Sequence, residues 1–112
     1  MKLKKENNMK IIGITACPTG IAHTYMAQEN LELECKKRGY DYKFETQGGM
    51  GVENKLKASD IEDADVVILA VSVTIEGEER FKGKPLLKVP VNRAVRDVVS
   101  LVDEALALIK EG

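Results

Sequence analysis

A chain of 112 residues, 44% of them hydrophobic, is long enough to bury one core and too short for two. Its 17 Lys and Arg stand against 18 Asp and Glu, a formal charge of -1, and no concentrated basic footprint of the kind a nucleic-acid surface needs is present. No apolar run approaches the roughly 20 residues of a membrane span, and the amino-terminal MKLKKENN lacks the apolar middle of a signal peptide, so a cytoplasmic protein is expected.

Residues 1–8 are polar and charged and read as a flexible arm, leaving 9–112 as a single domain. Met9 opens onto KIIGITA, a β-branched run that predicts a strand. A short loop of small residues follows, then a polar-apolar mixture free of Gly and Pro until Gly39, which predicts a helix ending near KKRG. YDYKFETQ alternates at Tyr42 and Phe44 and predicts a second, half-buried strand near an edge. GGMGVENK reads as a Gly-rich loop, and SDIEDA offers Ser59 or Asp60 as the cap of a short helix. DVVILAVS, the most apolar stretch, suits a central parallel strand covered on both faces.

EGEERF suits a turn of helix, GKP is punctuation, and LLKVPV predicts a fourth strand that Pro90 assigns to an edge. From Asn92, the apolar set Val95, Val98, Val99, Val102, Ala105, Leu106 and Ile109 recurs at helical spacing, with a break expected between Asp97 and Ser100. Alternating strands and helices imply right-handed crossovers. The expected fold is α/β, a small doubly wound four-stranded parallel sheet with helices on both faces. Ligands of such sheets gather outside the carboxyl ends of the strands, where the order reverses beside the first strand.

Cys17 falls at that crevice, followed by Pro18, Thr19, Gly20, Ile21, Ala22, His23 and Thr24. A loop of this kind can wrap an anion: Gly20 permits positive φ, small side chains let N–H groups converge, and the helix behind adds its dipole. Pro18 has no N–H, so donors begin at Thr19, and the hydroxyls of Thr19 and Thr24 are candidate donors to phosphate oxygens. The field that attracts phosphate also favours thiolate, so Cys17 should titrate below the free thiol value of about 8.5. A thiolate beside a cradled phosphoryl group is a nucleophile for its transfer. Cys35 shares a helical stripe with Ala27 and Leu31 and reads as a small core hydrophobe. His23 has two readings, a hydrogen bond to thiolate or phosphate and a simple helix-start role. One histidine and no C-x-x-C pair make no metal set, and no cofactor is expected.

Small tyrosine phosphatases share Cys-x5 followed by a hydroxyl residue, but an arginine precedes the hydroxyl and forks onto the phosphate for transfer to water. Here His23 holds that position, and no Asp-Pro pair supplies a general acid. A nucleophile without hydrolytic apparatus suggests a carrier. TACPTGIAHTYMA closely resembles the phosphorylation loop of the fructose-family enzyme IIB component of the bacterial phosphoenolpyruvate-dependent sugar phosphotransferase system. The similarity continues through ETQGGMGVENKL, DIEDADVVILA and ERFKGKP, covering Lys10 to about Pro85. The family often has an acidic residue after the third strand, where this chain reads VSVTIEGEERF. The resemblance implies that Cys17 accepts phosphate from a phosphohistidine of a IIA component, with Pro18 to Thr24 as the cradle. Cys17 then passes the group to a sugar, fructose by family default, in a membrane-embedded IIC component. The alternatives are a low-molecular-weight thiol phosphatase or arsenate-reductase-like hydrolase, and a non-catalytic anion-binding module.

If the missing arginine is what protects phosphocysteine from water, His23→Arg should hasten its loss by placing a planar fork over the phosphate. Full phosphatase turnover is not expected, since no proton donor is added. The measurement is the lifetime of phospho-Cys17 in both proteins with IIC absent. An unchanged lifetime in a folded, phosphate-accepting variant would assign the protection to something else.

Overall fold

In the computed structural model, which describes residues 9–18, 22–48 and 51–111, the β-branched run Lys10–Ala16 forms β1 at the centre of the sheet. The chain continues through α1 (Ala22–Arg38), β2 (Asp41–Gly48), β3 (Gly51–Glu53), α2 (Ala58–Asp63) and β4 (Val66–Val71). A 3-10 turn (Glu78–Phe81), β5 (Leu86–Val89), α3 (Val91–Arg96) and α4 (Val98–Glu111) complete it. The sheet order is β3-β2-β1-β4-β5, with β2, β1, β4 and β5 parallel. The expected arm over residues 1–8 lies outside the described residues.

The doubly wound α/β architecture stands, and the sheet has one strand more than the four expected. β3 pairs antiparallel with the end of β2, Gly48 opposite Gly51 and Thr46 opposite Glu53. It occupies the stretch expected to be a Gly-rich loop. Three residues with one β-branched side chain, Val52, make no periodic signal, so the pairing with β2 decides the conformation. The cap of α2 also differs from expectation. Its first helical residue is Ala58, and Asp60 lies inside the first turn, where Oδ2 accepts the Lys57 N–H at 2.9 Å.

β1 and β4 are buried on both faces, and their side chains divide between two cores. Ile11, Val66, Ile68 and Ala70 face α1, α3 and α4, where they meet Ala27, Leu31, Cys35, Val91, Ala94, Leu101, Val102 and Ala105. Ile12, Ile14, Ala16, Val67, Leu69 and Val71 face the opposite layer, built from Leu56, Ala64, Ile75 and Phe81. The final helix breaks at Asp97, within the expected interval. Asn30 Nδ2 on α1 donates to the Ala94 and Val95 carbonyls at 3.0 and 3.2 Å, holding the end of α3. Pro90 precedes α3 rather than interrupting β5, which is an edge strand as expected.

On the second face, the buried carboxylate of Glu45 holds the loops together. Arg80 grips it with Nη1 on Oε1 at 3.0 Å and Nη2 on Oε2 at 3.1 Å. The Leu56 N–H adds 2.9 Å to Oε1, and Gln47 Nε2 adds 2.7 Å to Oε2. Arg80 Nε also donates to the Gly77 carbonyl at 2.7 Å, and its guanidinium lies 5.2 Å from the Phe81 ring centre. Gly77 has φ 79, and a Cβ there would stand 2.5 Å from Arg80 Nε, so the turn needs glycine twice over. Burial pushes the Glu45 carboxyl up, but Arg80, the Leu56 N–H and Gln47 outweigh it and hold the group below the usual carboxylate range.

Two predictions follow from this packing. A Cβ on Gly13 would lie 2.0 Å from the Ile68 carbonyl oxygen and 3.1 Å from Phe44 Cε1. Gly13→Ala must therefore push β1 from β4, and urea unfolding should show a loss of about 3 kcal/mol. Because the folded Glu45 carboxyl titrates lower than the unfolded one, its contribution is complete above about pH 4.5 and is lost as pH falls through the folded value. Glu45→Gln should lower stability near neutrality by about 3 kcal/mol, by leaving Arg80 poorly paired, yet flatten the acid limb of the pH-stability curve. The residual acid limb belongs partly to Asp60, which the Lys57 N–H, Lys43 and Lys10 hold below its ordinary value.

Candidate functional site

The parallel strands end together at one rim. β1 stops at Ala16, and its carbonyl accepts the Ser72 N–H from the loop after β4 at 3.0 Å. Chain connections leave β1 in one direction towards β2 and cross over it to β4, so the residue after Ala16 stands where the winding reverses. That residue is Cys17.

Cys17 is only 5% exposed and borders the core shared with α1. Thr24, in the first turn of α1, is 1% exposed and donates its hydroxyl to Cys17 Sγ at 3.4 Å. The backbone of the same residue is tied to the sheet, since Thr15 Oγ1 on β1 donates to the Thr24 carbonyl at 3.0 Å. A hydroxyl donor aimed at sulfur favours the charged form of the thiol over the neutral one. The first-turn N–H groups of α1 face the same end of the sheet without partners one turn earlier in the helix.

Of the residues expected in the cradle, Cys17 and Thr24 are brought together. The hydroxyl of Thr24, a candidate donor to phosphate oxygens, donates here to the sulfur. Pro18, Ala22 and His23 are exposed, with His23 second in α1. Thr19, Gly20 and Ile21 lie outside the described residues. Cys35 is fully buried on the Ala27 and Leu31 side of α1, and burial pushes its thiol up to about 12. The two cysteines therefore have opposite placements, one at the rim and one in the core.

Two polar linkages beside this site were not foreseen. Gln47, near the end of β2, makes a paired amide contact with the backbone of Glu76: its Nε2 donates to the carbonyl at 3.0 Å and its Oε1 accepts the N–H at 2.9 Å. The loop after β4 is thereby fixed to the rim together with the Glu45 and Arg80 pair. Tyr25, adjacent to Thr24, donates to the Glu53 carboxylate on β3. The motifs ETQ and ERF contain the first set of residues, but nothing in a single sequence pairs a carboxylate with an arginine 35 positions away.

No helix among the described residues is long and apolar enough to cross a membrane. Residues 12–104 match the family described as PTS system, Lactose/Cellobiose specific IIB subunit. The chain is 52% identical over 87 residues to the PTS system fructose-like EIIB component 2 of Escherichia coli, covering 78% of this chain and 82% of that protein. It is 46% identical over 97 residues to the PTS system fructose-specific EIIABC component of Bacillus subtilis, covering 87% of this chain and 15% of that larger protein. A crystal structure of a domain of the fructose-specific IIABC component from Borrelia burgdorferi superposes with a TM-score of 0.85 at 44% identity, covering 89% of this chain and 95% of that one. These relatives do not favour a phosphatase or a bare anion-binding module. The chain belongs to the fructose-family IIB components of the sugar phosphotransferase system, which carry a phosphoryl group in sugar transport.

Proposed function

We propose that Cys17 is the phosphoryl acceptor and that Pro18, Thr19, Gly20, Ile21, Ala22, His23 and Thr24 form the cradle around the group it carries. The observation that carries this reading is the placement of Cys17 at the end of β1, with the Thr24 hydroxyl 3.4 Å from its sulfur and the first turn of α1 behind it. In the first half-reaction, the thiolate attacks phosphorus as the P–N bond to a IIA phosphohistidine breaks, and the leaving imidazole takes up a proton. In the second, a sugar hydroxyl oxygen attacks, the S–P bond breaks, the thiolate departs and the hydroxyl proton passes to solvent.

IIB domains work with IIA and IIC components, and the partners proposed here are a phosphorylated IIA protein and a membrane-embedded IIC permease. The transfers take place on the cytoplasmic side. Fructose is the proposed sugar, supported by the names of the relatives above. Domain organisation follows the same reading, with residues 9–112 as the carrier domain and 1–8 as an arm outside it. The chemistry needs no cofactor, since both the bond made and the bond broken are at phosphorus and the nucleophile belongs to the chain.

Incubation with phosphorylated IIA should add one phosphate to the intact protein, read by mass spectrometry. Cys17→Ser should abolish that gain. Cys35→Ser should retain nearly all of it, because the Cys35 thiol is buried and stays protonated at any ordinary pH. Full labelling of the Cys17 variant would move the acceptor elsewhere, first to His23.

A further inference from the structure

A second polar linkage lies at the same end of the sheet. Tyr25 donates its hydroxyl to Glu53 Oε1, and Thr46 Oγ1 on β2 donates to the same oxygen at 3.4 Å. The Glu53 hydrogen bond, with burial and the carboxylate charge adding to it, pushes the Tyr25 hydroxyl above its ordinary value, so it remains a donor. Gln28 Nε2, one turn further along α1, donates to the Phe44 carbonyl at 3.2 Å. Asn54 Nδ2 donates to the same carbonyl at 3.0 Å from the left-handed position, φ 56, that ends β3. The start of α1 and the β2–β3 hairpin are thus joined through both Glu53 and Phe44.

We infer that Tyr25 and Glu53 form a latch that positions the first turn of α1, keeping the Thr24 hydroxyl on the Cys17 sulfur. Both are positioning residues for phosphoryl transfer, and this role rests on the proposed function only in taking Cys17 as the reacting group. The first turn of a helix has no preceding turn to hold its N–H groups, so it is the part most easily displaced. Here it is tethered at adjacent residues: Thr15 holds the Thr24 carbonyl from the sheet, and Glu53 holds the Tyr25 side chain from the hairpin. Together the tethers fix the direction in which the Thr24 hydroxyl points. That hydroxyl serves both halves of the reaction, because the thiolate attacks in the first and leaves in the second.

Glu53 acts here as an acceptor. Its negative charge would by itself oppose thiolate formation nearby, so a neutral side chain with the same oxygen separates positioning from charge.

The test is the pH dependence of Cys17 alkylation by iodoacetamide on the full chain, followed by mass spectrometry. It is run beside the rate of labelling by phosphorylated IIA. Cys35, with its thiol near 12, stays silent. Tyr25→Phe and Glu53→Ala should each raise the Cys17 midpoint by about one pH unit, the scale of one lost hydrogen bond to a charged group. Each should slow phosphoryl acceptance near neutrality by about tenfold, with thermal midpoints within a few degrees of the parent. Glu53→Gln, which keeps an oxygen for Tyr25 and removes the charge, should leave the midpoint at or below the parent value and retain the parent rate. Parent-like profiles in Tyr25→Phe and Glu53→Ala would overturn the latch, and so would a midpoint raised in Glu53→Gln as far as in Glu53→Ala, since the Tyr25 partner is kept there. Alkylation needs no phosphoryl donor. A parent protein that takes no label would therefore refute the carrier reading, while the latch is still judged on the profiles.

Discussion

The carboxyl rim of this sheet depends on one buried ion pair. Glu45 is fully buried in the strand next to the central one, where an unpaired carboxylate would be prohibitively costly. Arg80 meets it with two parallel hydrogen bonds, the geometry in which a guanidinium and a carboxylate fit best. The remaining lone pairs are taken by Leu56 and Gln47. The pair therefore does more than neutralise charge. It collects the chain after β3, the loop after β4 and the 3-10 turn around one point on β2, and those are the segments that surround the rim on the face away from α1. Because a buried pair tolerates little distortion, the loops have little freedom to drift away from the position in which the thiol is presented.

The other face is organised by α1. Its inward residues Ala27, Leu31 and Cys35 pack on the sheet, while polar side chains reach sideways to its neighbours. Asn30 holds the end of α3, and Arg38 joins Glu34 at 2.7 Å to Asp103 on α4 at 3.1 Å. The helix that follows Cys17 is thus the one to which the other helices of its layer are fastened. The two pieces of the split carboxyl-terminal helical pattern meet α1 at different points, Val91–Arg96 through Asn30 and Val98–Glu111 through Arg38.

Much of this was legible in the sequence where the signal is local. KIIGITA, DVVILAVS and the apolar spacing from Val95 to Ile109 encode strands and a helix through periodicity, and the order of elements then limits the winding to a doubly wound sheet. Cys17 could be placed because a residue following the first strand of such a sheet has only one address. What escaped was non-local. Gly51–Glu53 became a strand because β2 offers it a partner, not because of its own propensities. The contact of the Thr24 hydroxyl with the Cys17 sulfur depends on the rotation of a helix turn, which residue type does not give. Tyr25 with Glu53, and Glu45 with Arg80, are pairings between distant stretches that no spacing rule connects.

The two borders of the sheet share a property with a consequence for how this unit can be used. One border is β3, three residues long and antiparallel. The other is β5, four residues long and stopped by Pro90, with Lys88 exposed along it. Short, charged or proline-ended borders give a second chain no continuous ladder to extend. A second chain approaching along β3 or β5 therefore finds too little ladder for the two sheets to fuse there.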